Sequence, residues 1–512
     1  MKNYISFKII AVFVFMILAT TACKKDFLEL QPRGSALESN FYQTENELFQ
    51  GLIAVYDVLQ WGSTSGWTMT VGLSNAASDD CHAGGSDASD QPSWVAYDKF
   101  DLSPSLGPQE GLWRKYFAGI YRANLLLEKL EEAPEAVTSS FKARVSAEAK
   151  FLRGYFYFEL VRYFGRVPII TAVLSPDAVK EVTQASTSEV YAQIEADLNA
   201  AKNEPLMPES VPPSELGRVT KGAISALLGK VILYQNNDGR MIEAANHFED
   251  VISSGFYALE ANFEDIFTKS GEFGSGSILE IPYASNKPGD WGCCFASGPL
   301  QNPTEGNFNV QFFGMRDFVG PDYASGWGFC PVSEDLFDFM SGDPRMQHTI
   351  IDGNALKDQG ASYTESFQNT NYFIKKYAPL EAELATDGVT ALAWGTNERV
   401  IRLADVYLMA AEALLRGGGD SNTARGYVNQ VRTRVGLTSI PSAVTGNILL
   451  DAVYKERRME LATEGHRFFD LVRTGKAAEV LEGFVPGKNE LLPIPLFELD
   501  LAEGQLTQNP GY

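Results

Sequence analysis

The sequence predicts a mostly α-helical protein that carries two long loop-rich insertions. Apolar residues recur at helical spacing in nine segments, and several of these segments come in pairs separated by short breaks of Gly, Asn and Asp. The stretches between them are rich in Gly, Pro, Ser and aromatic residues. A hydrophobic content of 45% and a charged content of 21% are typical of a folded chain, so we do not expect long disorder.

The helical segments are grouped toward the two ends of the chain. In the first of them Leu48, Leu52 and Leu59 lie on one apolar face. The same periodicity predicts further helices over residues 112–130, 141–164, 190–201, 220–234, 241–252, 400–415, 424–435 and 449–461. Short breaks at 235–239 and 417–420 join neighbours into hairpins, which are the unit of tetratricopeptide arrays. The pattern indicates a tetratricopeptide-like scaffold, although no clean repeat period is visible.

Two regions depart from the helical pattern, at about residues 61–111 and 255–398. Long irregular segments in a compact protein usually form functional surfaces. We therefore expect any ligand site to be built from these insertions. The scaffold that carries them is predicted to be a single domain over residues 23–512.

The first residues have the form of a secretory signal. Lys2 and Lys8 precede an apolar run over 9–19, which is well short of the ~20 residues that a membrane-spanning helix needs. Small residues follow, directly before Cys23. We predict a lipoprotein signal peptide over residues 1–22 and lipid attachment at Cys23. The alternative is an ordinary signal peptide with a cysteine nearby.

The formal net charge of −23 disfavours polyanionic partners. Nucleic-acid binding needs clustered Lys and Arg that displace phosphate counterions, and the sequence contains no such stripe. A neutral or cationic ligand is the better expectation.

Cysteine spacing gives little support to a metal site. Beyond the signal the chain contains Cys81, Cys293, Cys294 and Cys330. Buried thiols and one long-range disulfide are both compatible with the sequence, which does not fix a pairing. A zinc site that adds His82 would lack the usual C-x-x-C pair. We predict no metal and no cofactor.

Motifs of catalysis are missing from the sequence. There is no G-x-S-x-G elbow, no H-E-x-x-H helix and no phosphate-binding loop. A charged cluster near the C-terminus could be mistaken for an active site, and its members are Arg457, Arg458, Glu460, Glu464 and Arg467. Like charges at helical spacing repel unless the arginines neutralise them, so we interpret this cluster as a structural ion-pair network.

Several longer motifs, taken together, are specific. They are WRKYFAGIYRAN at 113–124, EAKFLRGYFYF at 148–158, RLADVYLMAAEA at 402–413 and ERRMELATEGHRFFDL at 456–471, with residues 24–32 near the start and 508–512 at the end. In their order and content they resemble the SusD/RagB family of glycan-uptake lipoproteins, over nearly the whole mature chain. The resemblance implies a SusD-like helical fold, an outer-membrane location that faces the cell exterior, and a loop-built glycan site.

The resemblance also implies a function and a partner. A protein of this family is a non-catalytic receptor that delivers oligosaccharide to a SusC-like TonB-dependent transporter. The rival hypothesis is a lipid-anchored helical glycoside hydrolase, because a pair of carboxylates suitable for such an enzyme can always be proposed among 65 acidic residues. A purely structural adaptor is a third possibility, but it leaves the aromatic insertions unexplained.

Aromatic and acidic residues in the insertions are the candidates for a glycan site. A sugar presents one apolar C–H face and an edge of hydroxyls, so a receptor needs an aromatic platform beside polar groups. We select Trp94 and Trp291 as platforms and Asp79 and Asp80 as hydroxyl acceptors, the alternatives being a core tryptophan and a solvated turn. Further candidates are Tyr323, Trp327, Trp61 and Trp67. For Trp327, packing and binding are equally favoured.

Overall fold

The computed structural model describes residues 41–286, 291 and 305–512. Long helices form the first half of the fold, and every helix predicted there is present. They are α1 (Glu45–Gln60), α2 (Thr70–Ala76), α3 (Pro92–Asp98), α4 (Gln109–Glu132), α5 (Ser139–Phe164), α6 (Pro176–Val179), α7 (Thr187–Lys202), α8 (Lys221–Tyr234) and α9 (Met241–Ile252). Cys23 and the signal peptide lie outside the described residues.

A capping box fixes the start of α1. The Thr44 hydroxyl accepts the Glu47 backbone N–H at 3.3 Å, and the Glu47 carboxylate accepts the Thr44 N–H at 2.9 Å. Leu48, Leu52 and Leu59 then point into the core, as their spacing predicts. Local capping and the apolar face thus agree on where the helix begins and which side it buries.

Neighbouring helices pack against each other along the chain. Helix α4 packs on α5, α5 on α7, and α8 on α9. Gly229 of α8 faces the Phe248 ring of α9, and a Cβ at that glycine would lie 2.5 Å from the ring. Small residues therefore permit the close approach of these helices, and the prediction of helical hairpins is confirmed.

Within its described residues, the second insertion contributes short helices and three two-stranded antiparallel sheets, the last strand of which extends to Arg402. Its helices are α10 (Phe308–Phe313), α11 (Glu334–Phe339), α12 (Met346–Thr349) and α13 (Gly353–Asp358). The strands are β1 (Ser277–Ile281), β2 (Arg316–Val319), β3 (Ile350–Asp352), β4 (Ser362–Thr364), β5 (Tyr372–Ile374) and β6 (Glu398–Arg402), paired as β1 with β6, β2 with β4 and β3 with β5.

The remaining helices complete the scaffold. They are α14 (Leu403–Arg416), α15 (Ser421–Arg434), α16 (Gly446–Leu461), α17 (Arg467–Arg473), α18 (Ala477–Val480) and α19 (Leu496–Leu501). The helix predicted from residue 400 is wrong at its start. Val400 and Ile401 belong to β6, where β-branched side chains fit a strand and Ile401 pairs with Leu279 of β1. None of the described helices is long and apolar enough to cross a membrane.

Candidate functional site

The two loop-rich insertions meet in one aromatic cluster. The ring of Trp67, from the first insertion, lies 5.1 Å from Phe308, 5.1 Å from Phe312 and 5.8 Å from Trp327, all of the second insertion. The three contacts are edge-to-face, which is a favourable geometry for aromatic pairs. The insertions therefore share one largely buried aromatic cluster rather than forming two separate loops.

A tight turn holds Trp67 in this cluster. The Thr68 N–H donates to the Gly62 carbonyl at 2.8 Å, and the Thr64 N–H donates to the Gly66 carbonyl at 2.9 Å. Gly66 has a φ of +112°, which favours glycine. The turn places Trp67 beside α10.

Close backbone packing orients Trp327. Its N–H donates to the Gln311 carbonyl at 2.9 Å. A Cβ at Gly326 would lie 2.3 Å from the Gly314 Cα, so glycine is required there for the two backbones to approach. Trp327 is half-buried, with part of its ring packed on Trp67 and Phe312.

Trp291 stacks on Trp327 at the surface. The ring centroids are 5.9 Å apart, the ring planes differ by 25°, and Trp291 is 41% exposed. We call these two residues the tryptophan pair. A stacked, partly exposed aromatic pair offers a flat apolar face to a ligand, while the cluster beneath it holds the face in place.

Arg316 packs beside the glycine that follows Trp327 in the chain. A Cβ at Gly328 would lie 2.8 Å from the Arg316 Cγ. The Arg316 Nη1 donates to the Glu365 carbonyl at 3.3 Å, and the side chain is half-buried. A guanidinium has five N–H donors, so this bond leaves further donors on Arg316.

The prediction that Trp94 is an exposed platform is wrong. Trp94 is only 1% exposed, its indole N–H donates to the Trp67 carbonyl at 3.2 Å, and its ring packs on Phe312 and Phe329. A Cβ at Gly72 would lie 2.6 Å from the Trp94 ring, which shows how closely α2 covers it. Trp94 is a core residue that supports the cluster from below.

Asp79 and Asp80 are also misassigned as hydroxyl acceptors, because arginines occupy both oxygens of Asp79 and one oxygen of Asp80, and Asp80 is fully buried. Arg467 donates to both oxygens of Asp79 at 2.8 Å, and Arg458 lies 2.9 Å from Asp80 Oδ1. Burial raises the pKa of Asp80, whereas at Asp79 the bonds from Arg467 and the charge of Arg458 outweigh burial and lower the pKa. The two carboxylates tie the first insertion to the C-terminal scaffold.

The charged cluster near the C-terminus is a buried ion-pair network, as predicted. Glu460 accepts from Arg402 at 2.5 Å and from Arg345 at 3.0 Å, and Glu464 pairs with Lys376 at 2.7 Å. The sequence alone did not show that Arg458 and Arg467 pair with Asp79 and Asp80, which are nearly 400 residues away in the chain. These charges hold the scaffold together and leave the ligand surface to the aromatic residues.

The remaining candidates have mainly packing contacts. Tyr323 is half-buried, lies edge-to-face with Phe318 at 6.1 Å and belongs to a small apolar cluster of its own. Trp61 is half-buried, with the Arg122 guanidinium 4.7 Å above its ring and its indole N–H bonded to Asp57 at 2.9 Å. Neither residue stacks on the tryptophan pair in the described part of the chain.

Two of the cysteines lie within the described residues. Cys81 and Cys330 are buried free thiols there, which is one of the two states that the sequence left open, while Cys293 and Cys294 lie outside the described residues. No group of three or more potential metal ligands occurs within residues 41–286 and 305–512.

Two family models match this chain over successive regions. The model described as the SusD family matches residues 276–487, and the model described as starch-binding and associating with the outer membrane matches residues 26–233. The second description supports an outer-membrane association.

Solved structures and curated proteins agree with the family models. A laminarin-binding SusD-like protein is 42% identical with a TM-score of 0.84, and the match covers 92% of this chain and 100% of that one. Surface glycan-binding protein A from Bacteroides thetaiotaomicron, in complex with laminarihexaose, is 29% identical with a TM-score of 0.81, covering 91% and 99%. A SusD-like protein from Formosa agariphila is 26% identical over 98% of this chain and 99% of its own. The relatives support a glycan-binding role, and the chain belongs to the SusD family.

Proposed function

We propose that this protein is a lipid-anchored receptor on the cell exterior that binds a laminarin-type glucan at the tryptophan pair. The observation that carries the proposal is the stacking of Trp291 on Trp327 at the surface where the two insertions meet. The similarity to a laminarin-binding protein and to a protein in complex with laminarihexaose supports the choice of ligand.

The aromatic surface fits a neutral sugar better than a charged ligand. The C–H face of a glucose unit packs on an indole ring, and Arg316, which packs beside Gly328, has further N–H donors for hydroxyls. Neutral glucose units also avoid the electrostatic repulsion that a chain of net charge −23 imposes on polyanions.

Affinity should depend strongly on the exposed platform. Truncation of a central aromatic contact costs about 1 to 3 kcal/mol, which corresponds to roughly a fivefold to 150-fold loss of affinity. Calorimetry with laminarihexaose on wild type and Trp291→Ala tests this expectation. Phe497→Ala is a matched control, because Phe497 is an exposed aromatic residue, 53% exposed, on α19 and outside the tryptophan pair.

The result separates ligand class from site. Loss of laminarihexaose binding in Trp291→Ala but not in Phe497→Ala supports the tryptophan pair. If the wild type binds maltohexaose but not laminarihexaose, the proposed ligand class is contradicted and the proposed site at the tryptophan pair is kept. Equal binding by all three proteins would place the site elsewhere.

We propose further that the bound glucan passes to a TonB-dependent transporter in the outer membrane. The family membership supports this partner, and the predicted lipid at Cys23 would keep the receptor at the same membrane. Affinity purification of the tagged receptor from detergent-solubilised outer membranes tests the proposal. Recovery of a plugged β-barrel at a defined ratio is expected, and recovery of the receptor alone would contradict it.

A further inference from the structure

A groove that neither residue of the tryptophan pair lines has a volume of about 230 Å³. Three segments line it: the loop before α8, the turn after α9, and β1 itself. We call it the phenylalanine groove, after Phe256 and Phe273, which line it together with Tyr257.

Phe256 lies in this groove and is exposed to solvent. Its exposed fraction is 51%, and it is one of four strongly exposed aromatic residues in the described part of the chain. The turn that presents it depends on Gly255, whose φ is +76°. Exposed apolar surface inside a concave site marks a binding surface more often than an isolated surface residue does.

Phe273 is held in a strained backbone conformation at the same groove. Its φ is +53°, which is unusual for a bulky side chain. The buried Glu280 carboxylate stabilises it by accepting the Phe273 N–H at 3.0 Å, and the same carboxylate accepts from Ser277 at 2.6 Å and Asn397 at 2.9 Å. Such strain persists only where the surroundings enforce it, and it is common at binding sites.

The polar groups of the groove suit hydroxyl ligands. The Tyr257 and Thr220 hydroxyls share a hydrogen bond of 3.1 Å, and the Ser275 hydroxyl donates to the Glu260 carboxylate at 2.9 Å. Ser210 lies exposed at the rim. Arg218 and Glu280 also line the groove, but ion pairs and hydrogen bonds within the protein engage both. The hydroxyls of Tyr257, Thr220 and Ser275 are thus bonded within the protein. The exposed Ser210 hydroxyl and the exposed Phe256 ring are accessible to a ligand, and the exposed Glu209 carboxylate, which pairs with Lys221, lines the groove beside Ser210.

The groove and the tryptophan pair are joined by a short path of contacts. Pro282 follows β1 and packs beside Gly217 of the groove, where a Cβ would lie 3.1 Å from the proline ring. The Pro282 carbonyl accepts from Gln60, which directly precedes Trp61 and Gly62. A Cβ at Gly62 would lie 2.6 Å from the Phe308 ring, which contacts Trp67.

We propose that the phenylalanine groove is a second glucan subsite that binds a distant part of the same polysaccharide chain. The inference rests on the proposed function, and it goes beyond it by assigning a preference for long chains. A polymer that occupies both sites gains from effective concentration, because its second contact is intramolecular. A hexasaccharide that fills the tryptophan pair gains little from the groove.

The test compares polymeric laminarin with laminarihexaose. Phe256→Ala should lower the apparent affinity for the polymer by about tenfold and change the hexasaccharide affinity by less than about twofold. Ser210→Leu, which narrows the groove at its exposed rim without adding an aromatic platform, should have the same effect and guards against a folding defect in the first variant. Phe497→Ala is again the matched control, with 53% exposure against 51% for Phe256.

Each outcome decides between the two proposals. If wild type binds neither ligand, the proposed function fails and the groove assignment falls with it. If wild type binds both ligands and both groove variants bind the polymer like wild type, the groove assignment is overturned and the proposed function stands. A selective loss for the polymer in both groove variants, and not in Phe497→Ala, supports the second subsite.

Discussion

Arg467 donates two hydrogen bonds to the carboxylate of Asp79, each 2.8 Å long, and thereby fastens the first insertion to α17. Arg458 adds a third contact to Asp79 at 3.0 Å and bonds Asp80 at 2.9 Å. These ion pairs stabilise the attachment of the first insertion to the C-terminal scaffold, and neither carboxylate belongs to the tryptophan pair.

We expect Asp79→Ala to destabilise the protein by about 3 kcal/mol, because it removes the carboxylate that Arg467 bonds at both oxygens, while Arg458 keeps Asp80 and Asp335 as partners. The measurement is urea denaturation followed by circular dichroism. Below the unfolding transition, laminarihexaose affinity should remain that of wild type. Asp335→Ala is the matched control, since Asp335 also pairs with Arg458 but its side chain is 67% exposed, so its loss should cost less than about 1 kcal/mol. A large loss of affinity in folded Asp79→Ala would contradict this structural role.

Trp94 and Trp291 should respond to truncation in opposite ways. We expect Trp94→Ala to lose about 3 to 5 kcal/mol of stability, as is typical for a large buried aromatic residue. Trp291→Ala should keep a melting temperature close to wild type, because a partly exposed side chain loses little packing. Thermal denaturation of the two variants side by side gives the comparison. Equal melting temperatures would contradict the assignment of Trp94 to the core.

The sequence predicted the scaffold well because burial follows helical periodicity. The spacing of Leu48, Leu52 and Leu59 shows directly that they share one face of the helix. The one clear error, at residues 400–402, arose because Val400 and Ile401 fit an apolar helix face as well as a strand. Their pairing with β1 comes from more than 100 residues away and leaves no local signal.

The site was only partly predictable for a related reason. A tryptophan flanked by polar residues looks exposed in the sequence, yet Trp94 is covered by α2 and by the second insertion. Trp291 has similar flanks and is exposed. The difference depends on tertiary contacts. The ion pairs of Asp79 and Asp80 also could not be predicted from the sequence, because their partners lie near the other end of the chain.

We expect no glycoside hydrolysis by the purified protein. A glycosidase places two carboxylates about 5 to 10 Å apart across the sugar, and the two acids of the first insertion that were candidates for a sugar contact, Asp79 and Asp80, are held by arginines instead. A reducing-end assay on laminarin should therefore show no turnover. Trp291→Ala serves as the control, because a contaminating hydrolase would act equally in both preparations. Turnover in wild type that disappears in Trp291→Ala would support the enzyme hypothesis.

Lipid attachment at Cys23 is tested by Cys23→Ser. We expect the variant to leave the membrane fraction and to lose incorporation of labelled palmitate, because the acyl chains alone are predicted to anchor the protein. The described residues contain no membrane-spanning helix that could retain it. Cys81→Ser is the control, since Cys81 is a buried thiol inside the fold. Membrane retention of Cys23→Ser in high salt would contradict the prediction.

Two buried groups should make opposite contributions to stability as pH falls. Burial, together with the charge of Lys230, lowers the pKa of His466 to about 4, and burial raises the pKa of Glu398 to about 7. Between about pH 6.5 and 4, His466 is protonated in the unfolded chain but not in the native state. Acidification over this range therefore lowers the free energy of unfolding. Between about pH 7 and 4.5, Glu398 is protonated in the native state but not in the unfolded chain. At this group, acidification therefore raises the free energy of unfolding.

Single substitutions should therefore change the slope of stability against pH with opposite signs. The two pKa shifts act over overlapping pH ranges with opposite signs, so in wild type the two contributions to stability largely cancel. Relative to wild type, His466→Gln should gain stability as the pH falls from 6.5 to 4.5, whereas Glu398→Gln should lose it. Urea denaturation at half-unit pH steps measures both slopes, and His348→Gln is a control at a more exposed histidine, whose pKa burial also lowers. Changes of slope with the same sign in the two variants would contradict at least one of the two pKa shifts.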